Sequence, residues 1–131
     1  MQPLAQLAHQ LRSGERSLFD YLDDLEQLFA EREPTVQAFV PENGRFSRLR
    51  REAQALLDQH PDPEKRPLLF GVPVGVKDIF HVAGFATHAG SQLPPEVLAG
   101  NPSVAVQQLV ARGALILGKA HTTEFAYFAP D

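Results

Sequence analysis

The run Asn101-Pro-Ser-Val-Ala-Val-Gln-Gln-Leu-Val-Ala-Arg-Gly-Ala-Leu-Ile-Leu-Gly-Lys119 decides the fold class. Asn101 before Pro102 reads as an N-cap followed by a first-turn proline, and the spacing predicts a helix over 104–111. Gly113 sits where a helix C-terminus takes a left-handed residue. Ala114 to Leu117 is then an apolar run of strand length. Helix, glycine and apolar strand in this order make an α/β unit, so the chain is expected to form a sheet with helices packed on it. Upstream, Val72, Val74 and Val76 alternate through Gly71, Pro73 and Gly75, which predicts a strand carrying Pro73 where no ladder donor is needed. Lys77 and Asp78 stand at its end.

Toward the N-terminus the periodicity is helical. Leu4, Leu7, Ala8 and Leu11 share one helix face, and Ser13-Gly14 ends the run. Ser17 with Asp20 three residues on resembles a capping box, followed by a stripe of Leu18, Tyr21, Leu22, Leu25, Leu28 and Phe29 that is expected to stop at Pro34. Thr35 to Val40, between Pro34 and Pro41, predicts a short strand. Phe46, Leu49, Ala53, Leu56 and Leu57 mark a third helix ending at His60-Pro61, and Arg45, Arg48, Arg50 and Arg51 read most simply as its solvated face.

Residues 61–67 hold three prolines and four charges, a loop composition that predicts a boundary between 1–66 and 67–131. The two parts differ in charge. Of 28 charged side chains, 21 lie in residues 1–66 and only Lys77, Asp78, Glu96, Arg112, Lys119, Glu124 and Asp131 in the rest. With Phe70, Phe80, Phe85, Phe125, Tyr127 and Phe128 besides, the second part needs cover on more than one side. The chain is therefore expected to self-associate or to bind further polypeptide.

The 131 residues make one ordinary globular domain, and 44% hydrophobic residues argue against disorder. No apolar run is long enough to cross a bilayer and no signal peptide opens the chain, which predicts a soluble, cytoplasmic protein without membrane attachment. The absence of cysteine excludes disulfides and thiolate chemistry. A net charge of −4 without a basic stripe disfavours direct nucleic-acid binding. His9, His60, His81, His88 and His121 show no His-x-x-x-His spacing and no carboxylate-rich loop joins them, so no metal or other cofactor is expected.

Lys77 is the most informative residue for chemistry. It closes an apolar strand and precedes Ile79-Phe80, a setting hard to solvate. Desolvation favours the neutral amine, which can take a proton from a hydroxyl, as Ser-Lys hydrolases require. Read from spacing alone, the favoured reading is the plainer one, in which Lys77 snorkels into water or pairs with Asp78.

The blocks Gly71-Val-Pro-Val-Gly-Val-Lys-Asp78, Ala83-Gly-Phe-Ala-Thr-His-Ala-Gly-Ser91, Ser103 through Gly118-Lys119, and Thr123-Glu-Phe-Ala126 resemble, together and in this order, the N-terminal part of the amidase signature family. The helices before residue 60 are similar to that family's leading helical arm. The resemblance implies an α/β fold: a helical arm followed by part of a mixed sheet with packed helices, the segments 1–66 and 67–131 forming part of a single, incomplete amidase domain. It also implies cleavage of carboxylic amide C–N bonds in a small-molecule substrate by a Ser-Ser-Lys triad. There the lysine deprotonates a relay serine, which takes the proton of a nucleophilic serine. Lys77 matches the lysine. The serines belong to a Gly-Gly-Ser-Ser-Gly stretch and the glycine- and serine-rich run after it, which residues 1–131 do not contain, so this truncated chain is expected to be inactive alone. His121 departs from the Asn that the family often carries in that position.

Other hydroxyls compete with this reading. Ser91 follows Gly90 but has no Gly-x-Ser-x-Gly elbow, Thr87 reads as a backbone partner in its turn, and Lys119 is expected to pair with Glu124. The alternative function is a non-catalytic module that binds a partner through its apolar second half.

Overall fold

The computed structural model describes residues 2–127; Phe128 and Asp131, counted above in the apolar part, lie outside them. Three helices come first: α1 (Leu4–Ser13), α2 (Leu18–Val36) and α3 (Arg45–Gln59). Two strands, β1 (Pro73–Lys77) and β2 (Leu115–Ala120), run parallel, joined by a crossover that contains α4 (Val104–Ala111). The expected α/β class is what the chain forms.

Local chemistry explains the helix ends. Gly14 closes α1 at φ 81°, where a side chain would clash. The Ser17 hydroxyl accepts the Asp20 N–H and caps α2. Pro34 does not end α2. Pro34 lies in the last turn and its fixed φ is helical, so α2 continues to Val36 and stops where Gln37 turns left-handed at φ 50°, its N–H returning to Glu33 O at 2.8 Å. The Ser103 hydroxyl, not the expected Asn101, caps α4 by accepting the Val106 N–H.

The expected strand over Thr35–Val40 shrinks to one antiparallel bridge, Phe39 to Ala120. Thr35 and Val36 are still helical, and after the left-handed Gln37 only three residues precede Pro41. Within that space Val40 N donates to Lys119 O at 2.8 Å and His121 N to Ala38 O at 2.9 Å, which docks the segment on the outer edge of β2.

β1 and β2 pair from Pro73 opposite Leu115 to Lys77 opposite Ala120, with an irregularity between Val74 and Gly75. Because parallel strands end on the same side, the chain after β1 and the chain after β2 leave the sheet together. Buried side chains form two clusters. Leu11, Leu18, Leu22, Leu49 and Ala53 pack with Phe70 and Leu115, while Val76, Val82, Val106 and Ile116 form the other. The first cluster draws on residues from both sides of the proline-rich loop, so the helices and the strands share it.

Arg45 is not part of a solvated face. It is 6% exposed, its Nη1 donates to Leu117 O at 2.8 Å and its Nη2 to Val40 O at 3.0 Å, and it pairs with Glu42 at 3.2 Å. The guanidinium lies over Phe29 and Phe39, 4.9 and 5.4 Å from the ring centroids. Burial lowers the Arg45 pKa, with the Glu42 carboxylate pulling the other way. Gly118 makes this possible, since a Cβ there would lie 1.9 Å from Arg45 Nη1. Arg48 also reaches Leu117 O, at 3.2 Å, while Arg50 pairs with Asp23 and Glu26 on α2.

Candidate active site

Lys77 is the last residue of β1. The alternation that sends Val76 into the core turns Lys77 the other way, and its side chain is exposed. The burial expected at this position is not supplied by the described residues: nothing among them covers that face of the strand end. Nor does Lys77 pair with Asp78, whose carboxylate is engaged elsewhere.

Asp78 is buried and every polar group it carries is used. Its N–H donates to Ala120 O at 2.9 Å, fastening the end of β1 to the end of β2, and its carbonyl accepts the Ala89 N–H at 2.9 Å. Its Oδ1 accepts from Lys119 Nζ at 2.7 Å and its Oδ2 from the His88 N–H at 3.2 Å. The His88 ring lies beside it, Nδ1 3.5 Å from Oδ2. Lys119 also donates to Ala86 O and to the Thr87 hydroxyl, both at 3.4 Å. It is therefore not the partner of Glu124; the strand ends bring it to Asp78 instead.

This pair pins the 86–91 turn to the sheet at the residue that follows Lys77. Gly90 within it, at φ 67°, passes so close to the next segment that a Cβ would lie 2.5 Å from Thr122 O. Ser91 is tied inside the turn, its hydroxyl donating to His88 O at 2.8 Å and accepting the Leu93 N–H at 3.3 Å. Ser103 is committed to its cap. Thr87 is buried and, contrary to a backbone role, bonds two side chains: Lys119 and His81, whose Nδ1 is 2.9 Å from Thr87 Oγ1. A cavity of about 290 Å³ opens behind the strand ends among Asp78, His88, Ser91, His121 and Thr122.

Thr87, His81 and His88 were not legible as members of this cluster. The Asp78–Lys119 pair had a signal: each charged residue closes an apolar strand, and parallel pairing sets such ends side by side.

Known proteins share this architecture. The sequence model of the Amidase family matches residues 30–130. The chain is 37% identical over 127 residues to the 2-amino-5-chloromuconic acid deaminase of Comamonas testosteroni, a match covering 95% of this chain and 26% of that protein. It is 36% identical over 124 residues to an amidase of Pseudomonas putida, covering 95% of this chain and 26% of that one. A solved structure described as a vestigial protein complex that reveals the evolutionary origins of an s-triazine catabolic enzyme superposes with a TM-score of 0.80 at 32% identity, over 96% of this chain and 27% of its own. The fold is thus that of amidase-family proteins. The chain belongs to the amidase family, and it spans about a quarter of the length of these relatives, 26% of each of the two proteins.

Proposed function

We propose that residues 1–131 provide the lysine of a Ser-Ser-Lys amidase centre that cleaves a carboxylic amide C–N bond, with Lys77 as the base. The observation that carries the reading is the placement of Lys77 at the strand end whose next residue, Asp78, is locked to β2 and to the 86–91 turn. A base must be held in fixed geometry to reach a hydroxyl proton. Here the backbone is held while the amine is left uncovered, facing space that further polypeptide would fill. In the proposed step the Lys77 amine takes the proton of a relay serine, the relay takes that of the nucleophile, and the nucleophile's oxygen bonds to the carbonyl carbon. The C–N bond breaks as the proton is passed back to the leaving nitrogen, and water then takes the acyl group from the serine as the carboxylic acid, returning the serine its proton. Both serines and the oxyanion donors come from polypeptide outside these residues, so residues 1–131 alone turn over no amide.

A fluorophosphonate probe tests this. Residues 1–131 should remain unlabelled, and a longer form containing the Gly-Gly-Ser-Ser-Gly stretch should label and lose labelling in Lys77→Ala. Labelling of the short chain at Ser91, Ser103 or Thr123 would overturn the reading.

The second reading, a non-catalytic module that binds a partner through its apolar part, is favoured by the exposure of Leu68, Val97, Val104 and Tyr127. It predicts neither labelling nor an effect of Lys77 in any longer form.

A further inference from the structure

We infer that His81 is a positioning residue for Lys77, held in the tautomer with its proton on Nε2, and that it acts through Thr87, Lys119 and Asp78. The inference rests on the reading of Lys77 as the base and deepens it.

The donors that meet at Thr87 fix the tautomer. Thr87 Oγ1 has one hydrogen and two lone pairs, and its side-chain partners are Lys119 Nζ at 3.4 Å and His81 Nδ1 at 2.9 Å. The Lys119 ammonium only donates. If His81 Nδ1 also carried a proton, the buried Thr87 hydroxyl would receive two donors and its own hydrogen would have no acceptor, a cost comparable to a lost hydrogen bond. With Nδ1 unprotonated the Thr87 hydroxyl is fully used: it donates to His81 and accepts from Lys119, which donates onward to Asp78 Oδ1 at 2.7 Å. The ring is held in place for this. The Ser103 N–H donates to His81 O at 2.8 Å, and the Nε2 edge lies so close to Gly100 that a Cβ there would be 2.9 Å away.

The relay ends at the backbone beside the base. Asp78 Oδ2 and O receive the His88 and Ala89 N–H groups, and Asp78 is bonded to Lys77. His81 therefore fixes the direction of the Thr87 lone pair that steadies Lys119, and through it the strand end.

Long-range ¹H–¹⁵N spectra of the 131-residue chain, above the ordinary imidazole range, read the tautomer directly. Hydrogen exchange of the His88 and Ala89 amides reads the consequence. The expected results are an Nε2–H ring and exchange about tenfold faster in His81→Leu and in Thr87→Val, the cost of about one hydrogen bond. His81→Asn, which keeps an acceptor near the Nδ1 position, should stay close to the parent chain. An Nδ1–H ring, or equal acceleration in His81→Leu and His81→Asn, would overturn the assignment. In an active longer form His81→Leu should lower kcat with KM unchanged and His81→Asn should restore it. If Lys77→Ala leaves turnover intact there, the reading of the base fails while the tautomer and exchange results stand.

Discussion

Lys119 Nζ and Asp78 Oδ1 lie 2.7 Å apart with each side chain 3% exposed, the one ion pair among the described residues in which both partners are buried. A buried charge whose partner is removed keeps its desolvation penalty and loses its attraction. Asp78→Asn and Lys119→Met should each destabilise the chain by about 3–5 kcal/mol, and the double variant by clearly less than the sum. Urea unfolding of the four proteins measures the coupling; additive effects would mean the two charges are independently solvated.

Gly118 and Arg45 form a second coupled pair. Gly118→Ala puts a Cβ where the guanidinium lies, so Arg45 must leave Leu117 O. A loss of about 1–3 kcal/mol is expected, much smaller when Arg45 is already alanine. The same unfolding series decides it.

Lys77 is exposed, and substitutions at exposed sites away from special features change stability little. Lys77→Ala should shift stability by no more than about 0.5 kcal/mol while abolishing turnover in an active longer form. Retention of more than a small part of the activity would show that the base lies elsewhere.

Tyr21 gives a pH dependence. Burial raises its pKa above the usual tyrosine value, opposed by the Arg16 guanidinium, which sits 4.8 Å over the ring. Above pH ~10 the unfolded chain releases this proton while the folded chain holds it, so the stability from Tyr21 is present below that pH and is lost as pH rises through the folded pKa. Alkaline unfolding curves of the parent chain and Tyr21→Phe should therefore converge at lower pH and differ in slope above it.

The apolar exposure of the second part carries a prediction on association. Leu68, Phe80, Leu93, Val97, Val104, Val110, Phe125 and Tyr127 are all exposed. Surfaces of this kind drive self-association or partner binding. Light scattering after size exclusion at micromolar concentration should report a mass above the monomer. A monomer that binds no apolar dye would refute it.

The helices were legible from one apolar face or from their end signals: the Leu18, Leu22, Leu25 stripe reappears as α2, and the run between Pro102 and Gly113 as α4. The two strands were legible as an alternating valine run and a short apolar run, the second buried at successive residues. What could not be read was set by packing between distant residues. Arg45 looks like any surface arginine until Gly118, in another element, leaves room for it. Thr87 looks like a turn threonine until β2 delivers Lys119. Lys77 was expected to be covered because its neighbours in sequence are apolar, but Val76 and Asp78 face inward and Lys77 does not. Pro34 misled because its ring sets a helical φ near the end of α2, where its missing N–H does little harm.

The two carbonyls that β2 turns away from β1 are already taken. Leu117 O receives Arg45 and Arg48, and Lys119 O receives the Val40 N–H. A strand arriving on that side would meet saturated acceptors and a wall of guanidinium, whereas β1 is paired on one side only, with β2. Growth of this sheet is thereby given a direction. A strand added to it would pair along β1, the strand that ends in Lys77, and not behind β2.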